Sequence, residues 1–124
     1  MASTLVTTAE TIGTAKVIAK NIGDADLDHL RKLADRLKEG IGSGVVILGG
    51  ARGDRANLFM AVTKDLAQLV SADAVIKSVE SIIDGRGGGR AESASAGGKA
   101  PARVSEAVDA ARAAVRERFD GRRG

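Results

Sequence analysis

The run Val45-Val46-Ile47-Leu48 is apolar at every position. A half-exposed strand alternates apolar and polar side chains, so this unbroken run predicts a strand covered on both faces. A polar turn at Gly49–Asp54 follows, and Arg55–Thr63 then carries apolar side chains at alternate positions. The short connection predicts an antiparallel hairpin, and a chain of 124 residues with such a hairpin is expected to pack helices on a small sheet.

The segment before this hairpin predicts a strand followed by a helix. Thr14–Ile22 mixes β-branched residues with lysines and is interpreted as a strand. Asp24 or Asp26 can cap the helix, because a short carboxylate accepts hydrogen bonds from the free N–H groups of the first turn. The apolar periodicity runs to about Glu39, and Gly40 fits the left-handed position that ends a helix.

Two more helices are predicted after the hairpin. Ser71 can cap the first of them, whose apolar stripe ends at Ile83, and Pro101 suits the first turn of the second. The last helix carries one continuous apolar seam formed by Val104, Val108, Ala111, Val115 and Phe119. We interpret this seam as the surface that packs on the sheet, with pairing between two chains as the alternative.

The predicted order of elements defines the fold class. With a short strand near Ala94–Ala96, the order is strand, helix, strand, strand, helix, short strand, helix. This is an α/β fold with a small mixed β-sheet and about three covering helices. Residues 1–13 are expected to be an N-terminal remnant or linker, residues 14–120 the globular domain, and residues 121–124 a disordered tail.

The positive charge is concentrated in the last third of the chain. Residues 1–84 contain 10 Lys and Arg against 11 Asp and Glu, whereas residues 85–124 contain 9 against 5. A basic segment attracts phosphate groups through Coulomb forces and counterion release. An ordinary solvated helix surface is the alternative interpretation of the same charges.

The sequence offers little catalytic chemistry. It has no cysteine, and its single histidine, His29, lies in the predicted first helix rather than in a cluster with metal-ligand spacing. Phe59 and Phe119 both lie on apolar stripes, so no aromatic platform for stacked bases is expected. No apolar run approaches the roughly 20 residues of a membrane helix. Any nucleic-acid binding would therefore depend on backbone amides, arginines and shape.

The stretch Gly85–Lys99 is the strongest candidate for a binding site. Its glycines permit positive φ angles, and their N–H groups are predicted to form a nest for a phosphate, flanked by arginines. A flexible linker is the alternative. The candidate nucleic-acid-binding residues are Arg86, Gly87, Gly88, Gly89, Arg90, Gly97, Gly98, Lys99 and Lys64.

Four segments together resemble a known family. Val45–Leu48, Val62–Leu66, Gly87–Arg90 and Ala94–Lys99 are similar to the DHH-associated domain, which ends alanyl-tRNA synthetases (where it is called C-Ala) and follows the catalytic domain of DHH-type phosphoesterases. The resemblance covers about Lys16–Phe119, which is nearly the whole chain. It implies a non-catalytic module rather than an enzyme in its own right.

Arg90 resembles the synthetase branch of this family, because the phosphoesterase branch usually has histidine after the glycines. The chain departs from the synthetase pattern at Ala91 and Glu92, where proline and aspartate are usual. It departs again at Ser93 and Ser95, where a larger residue and often glutamine occur.

The resemblance also implies a function. In the family the module binds the tRNA elbow, the outer corner where the D and T loops meet, and so supports aminoacylation and editing. It implies a cytoplasmic part of an alanine-tRNA ligase with tRNA(Ala) and the remaining synthetase domains as partners, and a possible homodimer through an additional helical part. No cofactor is expected in this chain, whereas the parent synthetase would use ATP, Mg and an editing-domain Zn. The alternatives are the substrate-binding domain of a DHH-type phosphoesterase acting on short nucleotides, and a dimerisation module.

Overall fold

The computed structural model of the chain describes residues 10–12 and 15–123, with side chains described from Ala15 to Phe119. Within these residues the strands are β1 (Glu10–Ile12), β2 (Ala15–Asp24), β3 (Gly44–Arg52), β4 (Arg55–Val62), β5 (Gly85–Gly89) and β6 (Ser93–Gly98). The α-helices are α1 (Leu27–Ile41), α2 (Ala72–Val79) and α3 (Val104–Arg123). Short 3-10 helices lie at Lys64–Leu66, Glu80–Ile83 and Pro101–Arg103.

All described strands belong to one mixed sheet. Their order across the sheet is β1-β2-β3-β4-β6-β5. The pair β2 and β3 is parallel and is joined by α1, as a parallel pair requires a crossover connection. Every other neighbouring pair is antiparallel. The predicted α/β fold, with a small mixed sheet and three covering helices, is confirmed.

Helices cover both faces of the sheet. Helix α1 packs on one face over β2, β3 and β4, and α2 and α3 pack on the other. Strand β3 contributes to both layers: Val46 and Leu48 face α1, whereas Val45 and Ile47 face α2 and α3, and all four are fully buried. The apolar run is therefore a strand covered on both faces, as predicted.

The predicted helix starts are also confirmed. Asp26 caps α1 by accepting a hydrogen bond of 2.9 Å from the His29 N–H, and this bond, together with the nearby Arg52 guanidinium, lowers the pKa of the Asp26 carboxyl. Ser71 caps α2 through the Ala74 N–H. Side chains that suit the ends of isolated helices thus cap the same helices in the folded chain.

The first helix and the strand before it both extend further than predicted. Helix α1 does not end at Gly40 but continues to Ile41, and Gly42 with φ of 75° follows it. The reason is packing, since Ile41 extends the buried stripe of α1 onto the sheet. Strand β2 likewise runs past Gly23, where a positive φ accompanies a shift in its register with β3.

The prediction of a polar turn at Gly49–Asp54 is wrong. Strand β3 extends to Arg52, and only Gly53 and Asp54 form the hairpin turn. Gly49 belongs to the strand because α3 crosses it closely: a Cβ there would lie 2.5 Å from Val104 Cγ1. The antiparallel hairpin itself is confirmed.

The chain ends have more regular structure than expected. Residues 10–12 of the predicted linker form β1, and residues 121–123 of the predicted disordered tail belong to the last turn of α3. Residues 1–9, 13, 14 and 124 lie outside the described residues. The apolar seam of α3 is buried against the sheet, which confirms packing within the chain. None of the described helices is both long and apolar enough to cross a membrane.

Candidate nucleic-acid interface

The glycine-rich stretch forms an edge strand, not a loop. Gly85–Gly89 is β5, and it pairs along its whole length with β6. The free edge of β5 faces the chain's own carboxylates: the Gly87 N–H donates to Glu80 Oε2 at 2.8 Å, and the Gly89 N–H donates to Asp73 Oδ1 at 2.9 Å. The N–H groups of Gly87 and Gly89 are therefore not available for the phosphate nest predicted in this stretch, because each already binds a carboxylate.

The glycines of β5 are required by close packing. A Cβ on Gly87 would overlap the carbonyl oxygen of Ser95 and lie 2.5 Å from the Ala96 Cβ. Gly88 has φ of 150°, and a Cβ there would lie 3.0 Å from Asp73 Oδ1. A strand of this composition can approach both β6 and α2 where larger residues could not.

A groove lies where the sheet face is left uncovered. Helix α1 spans β2, β3 and β4, so the same face of β6 and β5 remains open. The resulting α1–β5 groove has a volume of about 330 Å³. Its lining residues are Arg31, Asp35, Lys38, Phe59, Ala61, Gly88, Gly89, Arg90, Glu92, Ser93, Ala94 and Ser95.

Positive side chains surround this groove. Arg31 and Lys38 project from the α1 wall and Arg90 lies at the β5 end. Arg86 pairs with Gly97 in the strand register and so shares the groove face, and the Arg55 guanidinium lies 3.3 Å from where a Gly97 Cβ would be. We call Arg31, Lys38, Arg55, Arg86 and Arg90 the groove cations.

The groove cations have no counter-ion among the described side chains. Among the residues whose side chains are described, none of the five forms an ion pair, whereas Lys32, Arg52, Lys77 and Arg103 are each paired with a carboxylate. Asp35 and Glu92 also line the groove and reduce its net charge. The arrangement leaves several cations around one concave surface available for an external anion.

The sequence-predicted site residues divide into two groups. Gly88, Gly89 and Arg90 line the groove, and Arg86 and Gly97 lie further along the same face. The others lie elsewhere: Gly87 and Gly98 pack within the β5–β6 pair, Lys64 lies in the 3-10 helix after β4, and Lys99 follows β6.

Several polar residues in or beside the groove were not assigned to a binding site by the sequence analysis. Arg31, Lys38 and Arg55 are separated from β5 along the chain, and Ser93 and Ser95 were noted only as departures from a family pattern. Helical periodicity shows that Arg31 and Lys38 are exposed, but it does not show which surface they face. The alternation of Ser93 and Ser95 with buried Ala94 and Ala96 was the available signal for one open sheet face.

Three side chains of α2 and the following 3-10 helix close the free edge of β5. Asp73 and Glu80 accept the hydrogen bonds of the edge amides, and Lys77 lies between them and pairs with Asp73 at 3.4 Å. An exposed strand edge is a template for pairing with another chain. These side chains occupy the positions that a further strand would take.

Replacing Asp73 and Glu80 together by alanine is expected to lower the unfolding free energy by about 1–3 kcal/mol, since two charge-assisted hydrogen bonds are lost. It is also expected to promote self-association through the opened edge. Urea unfolding and sedimentation velocity over a concentration series measure the two effects. Glu39→Ala, an exposed carboxylate at the end of α1, is the control. A double variant that stays as stable and as monomeric as the control would contradict this role.

Comparisons with known proteins assign the chain to a family. Residues 14–117 match the family model of the DHHA1 domain. The chain therefore belongs to the DHHA1 domain family.

The relatives with curated names belong to the synthetase branch. The chain is 43% identical over 108 residues to the alanine–tRNA ligase of Exiguobacterium sibiricum, a match that covers 86% of this chain and 12% of the relative. It is 44% identical over 95 residues to the alanine–tRNA ligase of Pelotomaculum thermopropionicum, a match that covers 76% of this chain and 11% of the relative. The chain thus spans about one eighth of the length of these relatives.

Solved structures agree with this assignment. The crystal structure of the C-Ala domain from Aquifex aeolicus alanyl-tRNA synthetase superposes with a TM-score of 0.76 at 32% identity, covering 90% of this chain and 97% of that one. The crystal structure of RecJ from Thermus thermophilus in complex with Mg²⁺ superposes with a TM-score of 0.64 at 18% identity, covering 94% of this chain and 17% of that one. At this identity the likeness shows a shared fold alone. The predicted likeness to the C-Ala domain is confirmed, and the chain corresponds to one part of a multidomain ligase.

Proposed function

We propose that this chain is a non-catalytic tRNA-binding domain of an alanyl-tRNA synthetase, and that it binds tRNA through the α1–β5 groove. The observation that carries the proposal is the set of groove cations, three of which line one concave surface and none of which forms an ion pair among the described side chains. Neutralising phosphates with such side chains releases condensed counterions, which supplies most of the affinity of this kind of binding.

The likeness to the C-Ala domain of an alanyl-tRNA synthetase supports tRNA as the ligand. The elbow as the part that docks is what the family resemblance implies. The charges at the groove add a physical reason. Arg31 and Lys38 stand on the α1 wall on either side of Asp35, while Arg86 lies on β5 and Arg90 directly follows that strand. Cations on two facing walls suit a folded RNA whose backbone segments approach from two sides, as the backbones of two loops do at a corner.

Binding of a tRNA(Ala) transcript to the 124-residue chain tests the proposal. We expect the logarithm of the binding constant to fall with the logarithm of salt concentration with a slope of about −3 to −5, because four or five phosphates are contacted. Fluorescence anisotropy titrations at several KCl concentrations between about 50 and 200 mM give this slope.

A hairpin of the acceptor stem alone, which lacks the D and T loops, serves as the comparison ligand. We expect the hairpin to bind at least about tenfold more weakly than the tRNA, which is the effect expected from losing about two phosphate contacts. Equal binding of hairpin and tRNA would argue against the elbow, and no binding of tRNA at the lowest salt concentration would argue against the whole proposal.

A further inference from the structure

Two serine hydroxyls lie on the floor of the α1–β5 groove. Ser93 and Ser95 are half-buried and alternate along β6 with Ala94 and Ala96, which are buried against the opposite face. No described residue forms a hydrogen bond with either hydroxyl, whereas Ser71 and other serines of the chain bind neighbouring backbone or side-chain atoms. Within the described residues, the two hydroxyls are therefore polar groups without a hydrogen-bond partner.

The surroundings of these serines keep their hydroxyls accessible. In the strand register Ser95 lies between Phe59 of β4 and Gly88 of β5. Gly88 has no side chain to cover it. Ser93 lies beside Ala61 of β4, whose methyl group is also small. On the floor between the α1 wall and Arg90, the two hydroxyls are thus flanked only by apolar side chains and by a glycine.

The charges around the floor divide the groove into phosphate and non-phosphate positions. Arg31 and Lys38 on the α1 wall and Arg90 at β5 attract phosphates, but Asp35 stands between the two wall cations. A phosphate at the middle of the groove would approach that carboxylate, which is electrostatically unfavourable. Beside Asp35 a ribose is therefore favoured over a phosphate.

A serine hydroxyl both donates and accepts hydrogen bonds, and so does the ribose 2′-hydroxyl, the group by which proteins distinguish RNA from DNA. We propose that Ser93 and Ser95 hydrogen-bond to ribose 2′-hydroxyls and make the α1–β5 groove selective for RNA. This inference rests on the proposed tRNA binding, and it assigns the selectivity to positions where the sequence departs from the usual synthetase pattern.

The test compares a tRNA(Ala) transcript with the same transcript carrying a 2′-fluoro group at every ribose, which keeps the phosphates but cannot donate from the 2′ position. We expect the unaltered chain to bind the 2′-fluoro transcript about tenfold more weakly, the effect of one or two lost hydrogen bonds. The variant S93A/S95A should bind both transcripts with affinities within about twofold of each other.

Two controls accompany the double variant. Ser81→Ala removes an exposed hydroxyl outside the groove and should leave the preference intact. Arg90→Ala should weaken binding of both transcripts by the same factor, since it removes a phosphate contact. Urea unfolding of each variant verifies that the fold is retained.

The outcomes separate this inference from the function on which it rests. Failure to bind the unmodified transcript contradicts the proposed function itself. Binding without a preference, or a preference that persists in S93A/S95A, leaves tRNA binding in place and overturns the role of the two serines.

Discussion

Replacing Arg31 and Arg90 together by alanine is expected to weaken tRNA(Ala) binding by about tenfold to thirtyfold at low salt and to reduce the steepness of the salt dependence by about 2. The two arginines lie on opposite walls of the α1–β5 groove, and neither has a counter-ion among the described side chains. Each substitution removes one phosphate contact without breaking an ion pair, so the stability of the fold should be unchanged. Anisotropy titrations at several salt concentrations measure both effects.

The matched control is Lys20→Ala with Arg36→Ala. It removes the same net charge from exposed side chains that lie outside the groove, Lys20 near Ser105 on α3 and Arg36 on the other side of α1. We expect less than about a twofold loss of affinity, because neither cation lines the groove and salt screens exposed charges that do not contact the ligand. Equal losses in the two double variants would mean that the net charge of the chain, and not the groove, is responsible.

Gly87→Ala is expected to destabilise the chain by about 2–3 kcal/mol, a large effect for one methyl group. The added Cβ would overlap the Ser95 carbonyl oxygen and press on Ala96, and backbone atoms of a paired strand cannot move aside as the end of a flexible side chain can. Either β5 separates from β6 or the hydrogen bond from Gly87 to Glu80 is lost. Urea unfolding monitored by circular dichroism gives the change.

Gly97→Ala is the control in the same pair of strands. The nearest atom to its added Cβ is the flexible guanidinium of Arg55 at 3.3 Å, and the backbone needs no positive φ. We expect a change of less than about 0.5 kcal/mol. If Gly97→Ala destabilised the chain as much as Gly87→Ala, the cost would come from replacing any glycine in these strands and not from the contact with Ser95.

Local patterns in the sequence were sufficient to predict most of the helices and strands. Asp26 and Ser71 cap the helices that they were predicted to cap, and the apolar run Val45–Leu48 is a strand with helices on both faces. Capping and periodicity depend on atoms a few residues apart, so they are encoded where they act. The family resemblance rests on the same kind of local motif.

Glycine was the residue whose structural role was predicted least well from local sequence patterns. Gly49 was assigned to a turn and Gly87 to a phosphate nest, but both lie in strands, because helix α3 crosses the first and strand β6 approaches the second. A glycine that permits a tight turn and a glycine that permits a close contact are identical in sequence. Only the position of the distant segment distinguishes them.

The sequence by itself determined the class of fold, the helix caps, the family and the basic character around Arg90. Only the tertiary structure decided that the outward amides of β5 bind Asp73 and Glu80, and that Arg31 of α1 shares a groove with Arg90. The physical reason is that periodicity reports which side of an element is buried. Which two exposed sides come to face each other depends on how far α1 extends across the sheet, and that is set by the packing of the whole chain.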